Sequence, residues 1–118
     1  MASVEIWVEA VALADEAVWL VPSEDGGWTL PGGPLAYGEE PVEGLRRHLM
    51  ALAGVEVEEP VILEAASRSE EGRWRMILRY ACRLAREPRP VGALFHIEHL
   101  PPLEPGQRAA IYRALQVL

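Results

Sequence analysis

The pattern of apolar and polar residues predicts β-strands near the start of the chain and again in residues 73–84. In residues 4–11 the even-numbered positions from Val4 to Ala10 are apolar and share one face, as in a half-buried strand. Residues 17–21 are apolar throughout and predict a more buried strand, and residues 28–30 predict a short third one. The longest alternation, in residues 73–84, turns apolar side chains one way and a row of arginines the other: Arg73, Arg75, Arg79 and Arg83.

The spacing of apolar residues changes to helical over residues 41–53. Val42, Leu45, Leu49 and Leu52 fall on one stripe of a helix wheel, which predicts a helix packed on a core. The sequence begins this segment with a proline, which suits a first helical turn, and follows it with Gly54, which suits a helix end.

The rest of the chain predicts further strands and a second helix. Strands are expected at 55–58 and 61–65, interrupted at Pro60, followed by a charged hairpin loop at 67–72 and a last strand or edge segment at 91–97. A C-terminal helix should open at Glu104 or Pro105. Its expected buried residues are Ala109, Tyr112 and Leu115, and the stripe can extend to Leu118. The order β-β-β-α-β-β-β-α predicts an α+β fold with helices packed on a mixed sheet.

Length and charge restrict the kind of protein. The 118 residues predict a single domain, 1–118. No apolar run approaches the roughly 20 residues of a membrane span, and no basic region precedes an apolar one at the start, so we expect a cytoplasmic protein with no membrane partner. The net charge of −7 argues against a nucleic-acid polymer as partner, but leaves open a single nucleotide in a local basic pocket.

Residue usage excludes several chemistries. Cys82 is the one cysteine, so neither a disulfide framework nor a cysteine-based zinc site is available. All 11 basic residues are arginine, which excludes a lysine Schiff base and a Walker-type phosphate loop. His96 and His99 are interpreted as surface residues rather than metal ligands. The absence of asparagine and the 10 prolines fit a thermophile-like composition.

One motif stands out between Trp28 and Val55. Gly33 is followed after five residues by Glu39 and after seven more by Arg47, and the segment closes with Gly54 and an apolar residue. With the preceding Trp-Thr-Leu-Pro-Gly-Gly, this spacing resembles the box of the Nudix (MutT-like) hydrolases, here at residues 33–55. The resemblance implies a Nudix-like α/β/α sandwich with a mixed sheet and two main helices. It also implies that Glu39 and Arg47 fix the loop against the helix.

The box departs from the family pattern at the positions that bind metal. The family's three helix glutamates, which hold Mg²⁺ or Mn²⁺, fall here at His48, Ala51 and Leu52. Side chains at these spacings converge on one patch of a helix, and hard cations need several oxygen ligands there. A single imidazole nitrogen is a poor substitute. We therefore expect no bound metal, no cofactor and no catalytic residues.

Two functional hypotheses follow from the resemblance. The first is a catalytically silent Nudix-fold domain that binds a nucleotide or another phosphate-bearing small molecule, or serves a protein partner, with homodimer formation left open. The alternative is a metal-dependent hydrolase of nucleoside diphosphates linked to another group. Its non-standard site would consist of Glu39, Glu40 and Glu43. Glu98 or His48 would assist these carboxylates. Glutamates at a helix start are also explained by the helix dipole.

Three residues are candidates for ligand binding. Trp28, at the entrance of the loop, has a ring that suits stacking on a base. Arg75 and Arg79 are central in the arginine row, and guanidinium groups suit phosphate or carboxylate. The alternative interpretation of the row is a solvated strand face paired with Glu56, Glu58 or Glu64. The other tryptophans, at positions 7, 19 and 74, are expected in the core or in a dimer interface.

Overall fold

The computed structural model describes residues 4–118, which form seven strands, two α-helices and one turn of 3₁₀ helix. The first four strands precede the first helix: β1 Val4–Ala14, β2 Ala17–Pro22, β3 Trp28–Thr29, β4 Gly32–Pro34 and α1 Pro41–Ala53. The remaining elements are β5 Val57–Glu70, β6 Arg73–Leu84, β7 Ala93–His96, the 3₁₀ turn Ile97–His99 and α2 Pro105–Val117.

The strands form a mixed sheet with β1 near its centre. The main order is β3-β2-β1-β6-β5, with β4 paired to β1 and β7 paired to β2. β1 and β6 run parallel, with Trp7 opposite Ile77, and the other pairs are antiparallel. The predicted α+β sandwich with a mixed sheet is confirmed.

The two helices cover opposite faces of the sheet. Val8 and Ala10 of β1 pack in a core with Leu45 and Leu49 of α1. The next residue of β1, Val11, packs in a second core with residues of α2, among them Ala110, Ile111 and Ala114. Because successive side chains of a strand point to opposite faces, these two cores lie on the two sides of the sheet.

Helix α1 has the predicted bounds and the predicted buried stripe. Leu45 and Leu49 are fully buried, and Leu52 is partly buried against the same core. Gly54 has a left-handed backbone with φ 61°, and its N–H donates to the carbonyl of Met50 at 2.9 Å. The proline at the start and the glycine after the end therefore set the helix length as the sequence predicts.

Gly32 and Gly33, at the start of the box, belong to a strand of the sheet. Strand β4 pairs antiparallel with β1, with Gly32 opposite Glu9 and Gly33 opposite Val8. A Cβ atom at position 32 would overlap the carbonyl oxygen of Val8. Glycine is required there because only a residue without a side chain allows the two strands to approach so closely.

Strand β5 continues through Pro60, so the predicted interruption is wrong. The strand runs from Val57 to Glu70, with register shifts between Glu58 and Val61 and between Ile62 and Glu64 that accommodate the proline at the sheet edge. The predicted hairpin loop shrinks to Glu71 and Gly72, whose φ angles are 48° and 77°. Positive φ at both residues is what a two-residue hairpin needs.

Helix α2 starts at Pro105 as expected. Of its predicted buried residues, Leu115 and Leu118 pack against the core on the α2 side, but the prediction is wrong for Ala109 and Tyr112. The buried residues are Gln107, Ala110, Ile111 and Ala114, whereas Tyr112 is 47% exposed and Ala109 is also exposed. Small side chains allow this helix to lie close to the sheet. Within residues 4–118 neither helix is long and apolar enough to cross a membrane.

Candidate functional site

An ion pair closes the loop between β4 and α1. Arg47 donates from Nε to Glu39 Oε2 at 2.8 Å and from Nη2 to Glu39 Oε1 at 2.9 Å. Nη2 of Arg47 also donates to the Pro34 carbonyl at 3.2 Å, and Glu39 Oε1 accepts from the Ala36 N–H at 3.0 Å. The loop is thus attached to the helix by side chains of the box and by its own backbone.

The charge state of Glu39 follows from these contacts. The hydrogen bonds from Arg47 and from the Ala36 N–H lower the pKa of the Glu39 carboxyl to about 2. The same carboxylate raises the pKa of Arg47. Glu39 is therefore a carboxylate over the whole physiological pH range, but its oxygens are already hydrogen-bonded.

His48 fills the space between the helix and β4. Its Nε2 lies 2.7 Å from the Pro34 carbonyl oxygen, so this nitrogen carries the proton and donates. The ring packs directly on Gly33, where a Cβ atom would lie only 2.6 Å from Nδ1 and 2.7 Å from Nε2. The nitrogen nearest the loop is therefore unable to bind a metal ion in this arrangement.

The other two altered positions lack metal-binding atoms. Ala51 is exposed on the helix surface, and Leu52 packs against the core on the α1 side of the sheet. In the part of the chain that the structure describes, no three side chains of His, Cys, Asp or Glu are grouped so that they hold a metal ion. These residues do not fit Mg²⁺ or Mn²⁺, which prefer several oxygen ligands.

The carboxylates of the alternative hydrolase hypothesis form no group within residues 4–118 that could hold a metal ion. Glu40 is the exposed residue before α1 and makes no side-chain cap, and Glu43 is exposed in the first helical turn. Glu98 lies in the 3₁₀ turn beside Ile97, which packs in the core on the α2 side. Neither Glu40 nor Glu43 is among the hydrogen bonds that hold the loop.

A groove of about 590 Å³ opens beside β1 and β6, on the face of the sheet toward α2. Its lining includes Trp7, Thr29, Leu52, Ile77 and Gln107. Gly32, at one end, lies opposite Glu9 of β1, whereas Arg75, at the other, lies opposite Glu5. Four residues of strand separate these positions, which is about 13 Å.

Arg75 lies on the wall of this groove. Its guanidinium carbon is 3.9 Å from the centre of the Trp7 ring, and a terminal nitrogen is 4.0 Å from a Glu5 carboxylate oxygen. Trp7 was expected in the core or in a dimer interface, but it is partly buried and supports this arginine by a cation–π contact. Periodicity gave no indication of this role, because it depends on the parallel pairing of β1 with β6.

Arg79 is buried beneath the groove, with only 4% of the residue exposed. Its Nε donates to Glu9 Oε1 at 2.8 Å, and its Nη1 donates to Glu64 Oε2 at 3.0 Å. Arg113 of α2 binds the other oxygen of Glu64. The pairing of Arg79 with Glu64 agrees with the alternative interpretation of the arginine row. The solvated strand face expected in that interpretation is wrong for Arg79, because the residue is buried. We do not retain Arg79 as a ligand candidate, because its guanidinium already binds two carboxylates.

Gln107 is a groove residue that sequence reasoning missed. It is 3% exposed, and its Nε2 donates to Thr29 Oγ1 at 2.8 Å and to Glu9 Oε2 at 3.3 Å. A glutamine near the start of a helix carries no sequence signal for such a role. Its position in the groove follows from the packing of α2, which buries Gln107 together with Ala110 and Ile111.

Trp28 packs at the margin of the core on the α2 side. Its ring meets Phe95 edge-on, with centroids 4.8 Å apart. It borders a cavity near Leu103 that meets the groove at Thr29 and Gln107. The two ligand candidates Trp28 and Arg75 therefore line adjoining cavities.

The remaining tryptophans differ in burial. Trp19 is fully buried and donates from Nε1 to the Val91 carbonyl at 2.8 Å, as expected of a core residue. Trp74 is 45% exposed, so a place in the core is wrong for it. A place in a dimer interface stays a prediction.

The isolated titratable residues lie as the sequence indicated. Cys82 is buried, which raises the pKa of its thiol to about 12. His96 is exposed and lies 3.2 Å from Glu16. Neither residue belongs to the loop or to the groove.

No protein-family model matches the sequence, and no curated protein matches it. Solved structures, in contrast, match over nearly the whole chain. A MutT Nudix hydrolase from Burkholderia pseudomallei has a TM-score of 0.82 and 21% identity, with 94% of this chain and 98% of that chain covered. A Nudix hydrolase from Nitrosomonas europaea has a TM-score of 0.77 and 15% identity, with 97% and 90% covered.

A UDP-X diphosphatase has a TM-score of 0.79 and 20% identity, with 98% of this chain but only 64% of that chain covered. Identities this low show the fold alone. The chain therefore has the fold of the Nudix hydrolases.

Proposed function

We propose that this protein is a catalytically silent Nudix-fold domain that binds a nucleotide or another phosphate-bearing small molecule without a metal ion. In this proposal the box keeps the shape of its loop and helix but does not bind a metal ion. It rests on the residues at three positions of α1 and on the groove beside them.

The single observation that carries the proposal is the occupation of the metal-binding patch by His48 and Leu52. The imidazole donates to the Pro34 carbonyl at 2.7 Å and covers Gly33, and Leu52 extends the apolar core. A pyrophosphate-cleaving site of this family type needs cations that neutralise phosphate charge and activate water. With no carboxylate at these positions, nothing in the patch holds such cations.

The groove supports a retained binding role. It combines an aromatic and an aliphatic wall, from Trp7 and Ile77, with polar groups from Thr29 and Gln107 and a cationic group from Arg75. Concave sites with a few converging polar groups are typical of small-molecule binding. The structural neighbour that is a UDP-X diphosphatase supports nucleoside diphosphates linked to another group as the first ligands to try.

Thermal unfolding and phosphate release test the proposal together. The protein is heated with ADP, with UDP-glucose or with a nucleoside triphosphate, each in EDTA and in Mg²⁺ or Mn²⁺. Cleavage is followed with UDP-glucose, as the phosphate that phosphatase releases from its products, because phosphatase does not attack intact UDP-glucose. We expect at least one nucleotide to raise Tm equally in EDTA and in metal, with no release of phosphate above the buffer control. A ligand that binds only the folded state raises Tm in this way.

Two outcomes would contradict the proposal. Metal-dependent phosphate release would support the alternative hydrolase, and its loss in Glu43→Gln would identify the non-standard site. No stabilisation by any nucleotide in either condition would remove the binding role. The variant Ala51→Glu serves as a matched control in the phosphate-release assay. It introduces a single carboxylate at an exposed position of α1 without altering the core.

A further inference from the structure

We propose that the phosphate group of the ligand binds at three arginines near the β5–β6 hairpin, Arg68, Arg73 and Arg75, and not at the box loop. We call these residues the hairpin arginines. The inference rests on the proposed function, and it specifies where and in which orientation the ligand binds.

The sheet register brings the hairpin arginines together. Arg68 of β5 lies directly opposite Arg75 of β6, and Arg73 is two residues away on the same face. They line a cavity of about 390 Å³ together with Glu5 and Glu71. Arg68 and Arg75 also line the larger groove, so the two cavities meet at this pair.

Two arginines directly opposite each other on neighbouring strands repel, and such a pair needs compensating negative charge. Glu104 binds Arg68 at 2.6 Å, and Glu5 lies 4.0 Å from Arg75. The second distance is too long for a direct hydrogen bond. A phosphate, with three acceptor oxygens, matches the planar guanidinium donors of Arg73 and Arg75.

The opposite end of the groove is unsuitable for phosphate. Arg47 of α1 does not line the groove, and its guanidinium binds Glu39 and the Pro34 carbonyl. Glu24 and Asp25 lie on the rim, and hydrogen bonds from Ser23 and the Gly27 N–H lower the pKa of Asp25, which keeps it ionised. Among residues 4–118, the cationic side chains that line the groove are Arg68 and Arg75.

This arrangement explains how binding persists without the metal-binding glutamates. Arg75 lies about 13 Å along β1 from Gly32 of β4, by the length of four strand residues. A phosphate held at the hairpin arginines needs no metal ion for charge neutralisation. The ligand is then turned so that its uncharged part points toward Gln107 and Leu52.

Calorimetric titrations in EDTA with ADP, adenosine and inorganic pyrophosphate test the inference. Arg73→Gln and Arg75→Gln should each weaken ADP and pyrophosphate binding by about 10-fold or more, because each loses a charged hydrogen bond. Arg83→Gln is the matched control, since Arg83 is exposed on the same face of β6 and lines neither cavity. Its affinity should stay within about twofold of the wild type.

The outcomes distinguish this inference from the proposed function. If the wild type binds ADP but both hairpin variants bind it unchanged, the hairpin site is wrong and the silent binding domain stands. Adenosine binding as tight as ADP would also overturn the hairpin site. If the wild type binds none of the three probes, both proposals fail. Arg73→Gln alters an exposed side chain, so it keeps the test valid even if loss of the Trp7 contact unfolds Arg75→Gln.

Discussion

Arg47 binds both carboxylate oxygens of Glu39, which lies eight residues earlier in the chain, through two nearly equal hydrogen bonds of 2.8 and 2.9 Å. This contact joins the loop to the first turns of α1 without any metal ion. The loop therefore has a means of keeping its shape that is separate from catalysis. The proposed binding function without a metal ion is consistent with this pair, because the pair holds the loop by hydrogen bonds of its own side chains.

Glu39 should make stability depend on pH in the acidic range. Its pKa is about 2 in the folded protein against an ordinary value of 4.5, so the folded state favours the carboxylate. The contribution is fully present above about pH 4.5 and is lost as pH falls toward 2. The difference in unfolding free energy between wild type and Glu39→Gln should be constant from about pH 6 to 8 and shrink toward pH 2.

Denaturant titrations at a series of pH values measure this difference. Glu43→Gln is the control, since Glu43 is exposed in the first turn of α1 and does not bind Arg47. A difference between wild type and Glu39→Gln that stays the same down to pH 2 would show that the ion pair does not stabilise the folded loop.

Leu52→Glu should destabilise the protein. Leu52 is partly buried against the core on the α1 side, so a carboxylate there loses apolar burial worth about 1–2 kcal/mol. Ala51→Glu, one residue earlier and exposed, should change the unfolding free energy by less than about 0.5 kcal/mol. Equal stability of the two variants in urea would contradict the account of position 52 as part of the core.

Gly33→Ala should be destabilising because the new methyl group would overlap the His48 ring. Overpacking of this kind costs about 1–3 kcal/mol. The same substitution in a His48→Ala background should cost at least about 1 kcal/mol less, because the ring is gone. A double-mutant cycle in urea measures this coupling, and strict additivity would mean that His48 does not fill the space above Gly33.

Arg79→Met should be among the most destabilising substitutions. It leaves the buried Glu9 carboxylate without its cation and removes the contact to Glu64, a loss of about 3–5 kcal/mol. Arg83→Met on the exposed part of β6 should cost less than about 0.5 kcal/mol. Chemical unfolding of both variants checks the contrast. Similar unfolding free energies for Arg79→Met and Arg83→Met would show that the contacts of Arg79 with Glu9 and Glu64 do not stabilise the fold.

Local signals were sufficient for α1 and for the fold. Pro41 and Gly54 mark the helix ends by backbone chemistry that acts within a few residues, and the box spacing carries the loop. In α2, the same search for large apolar residues selected Tyr112, whereas the buried face consists of small residues around Ile111. That face is decided by how closely the helix approaches the sheet, which is a tertiary property.

The candidate site depended even more on long-range pairing. Arg75 and Arg79 are equivalent in the alternation of β6, yet one lines the groove and the other is buried between Glu9 and Glu64. β1 pairs alongside both residues, but α2, distant in sequence, packs beside Arg79, where its Gln107 and Arg113 bind the same carboxylates. No local pattern distinguishes the two residues.

Binding of Mn²⁺ tests the central claim most directly, because the claim is that the box is kept without its metal chemistry. Electron paramagnetic resonance follows free Mn²⁺ as it is added to the wild type and to the variant His48→Glu/Ala51→Glu/Leu52→Glu, at near-neutral pH with ADP present and absent. The account predicts no saturable binding by the wild type at millimolar Mn²⁺, and measurable binding once the three carboxylates are restored in folded protein. Saturable binding by the wild type that is lost in Glu39→Gln or Glu43→Gln would contradict it.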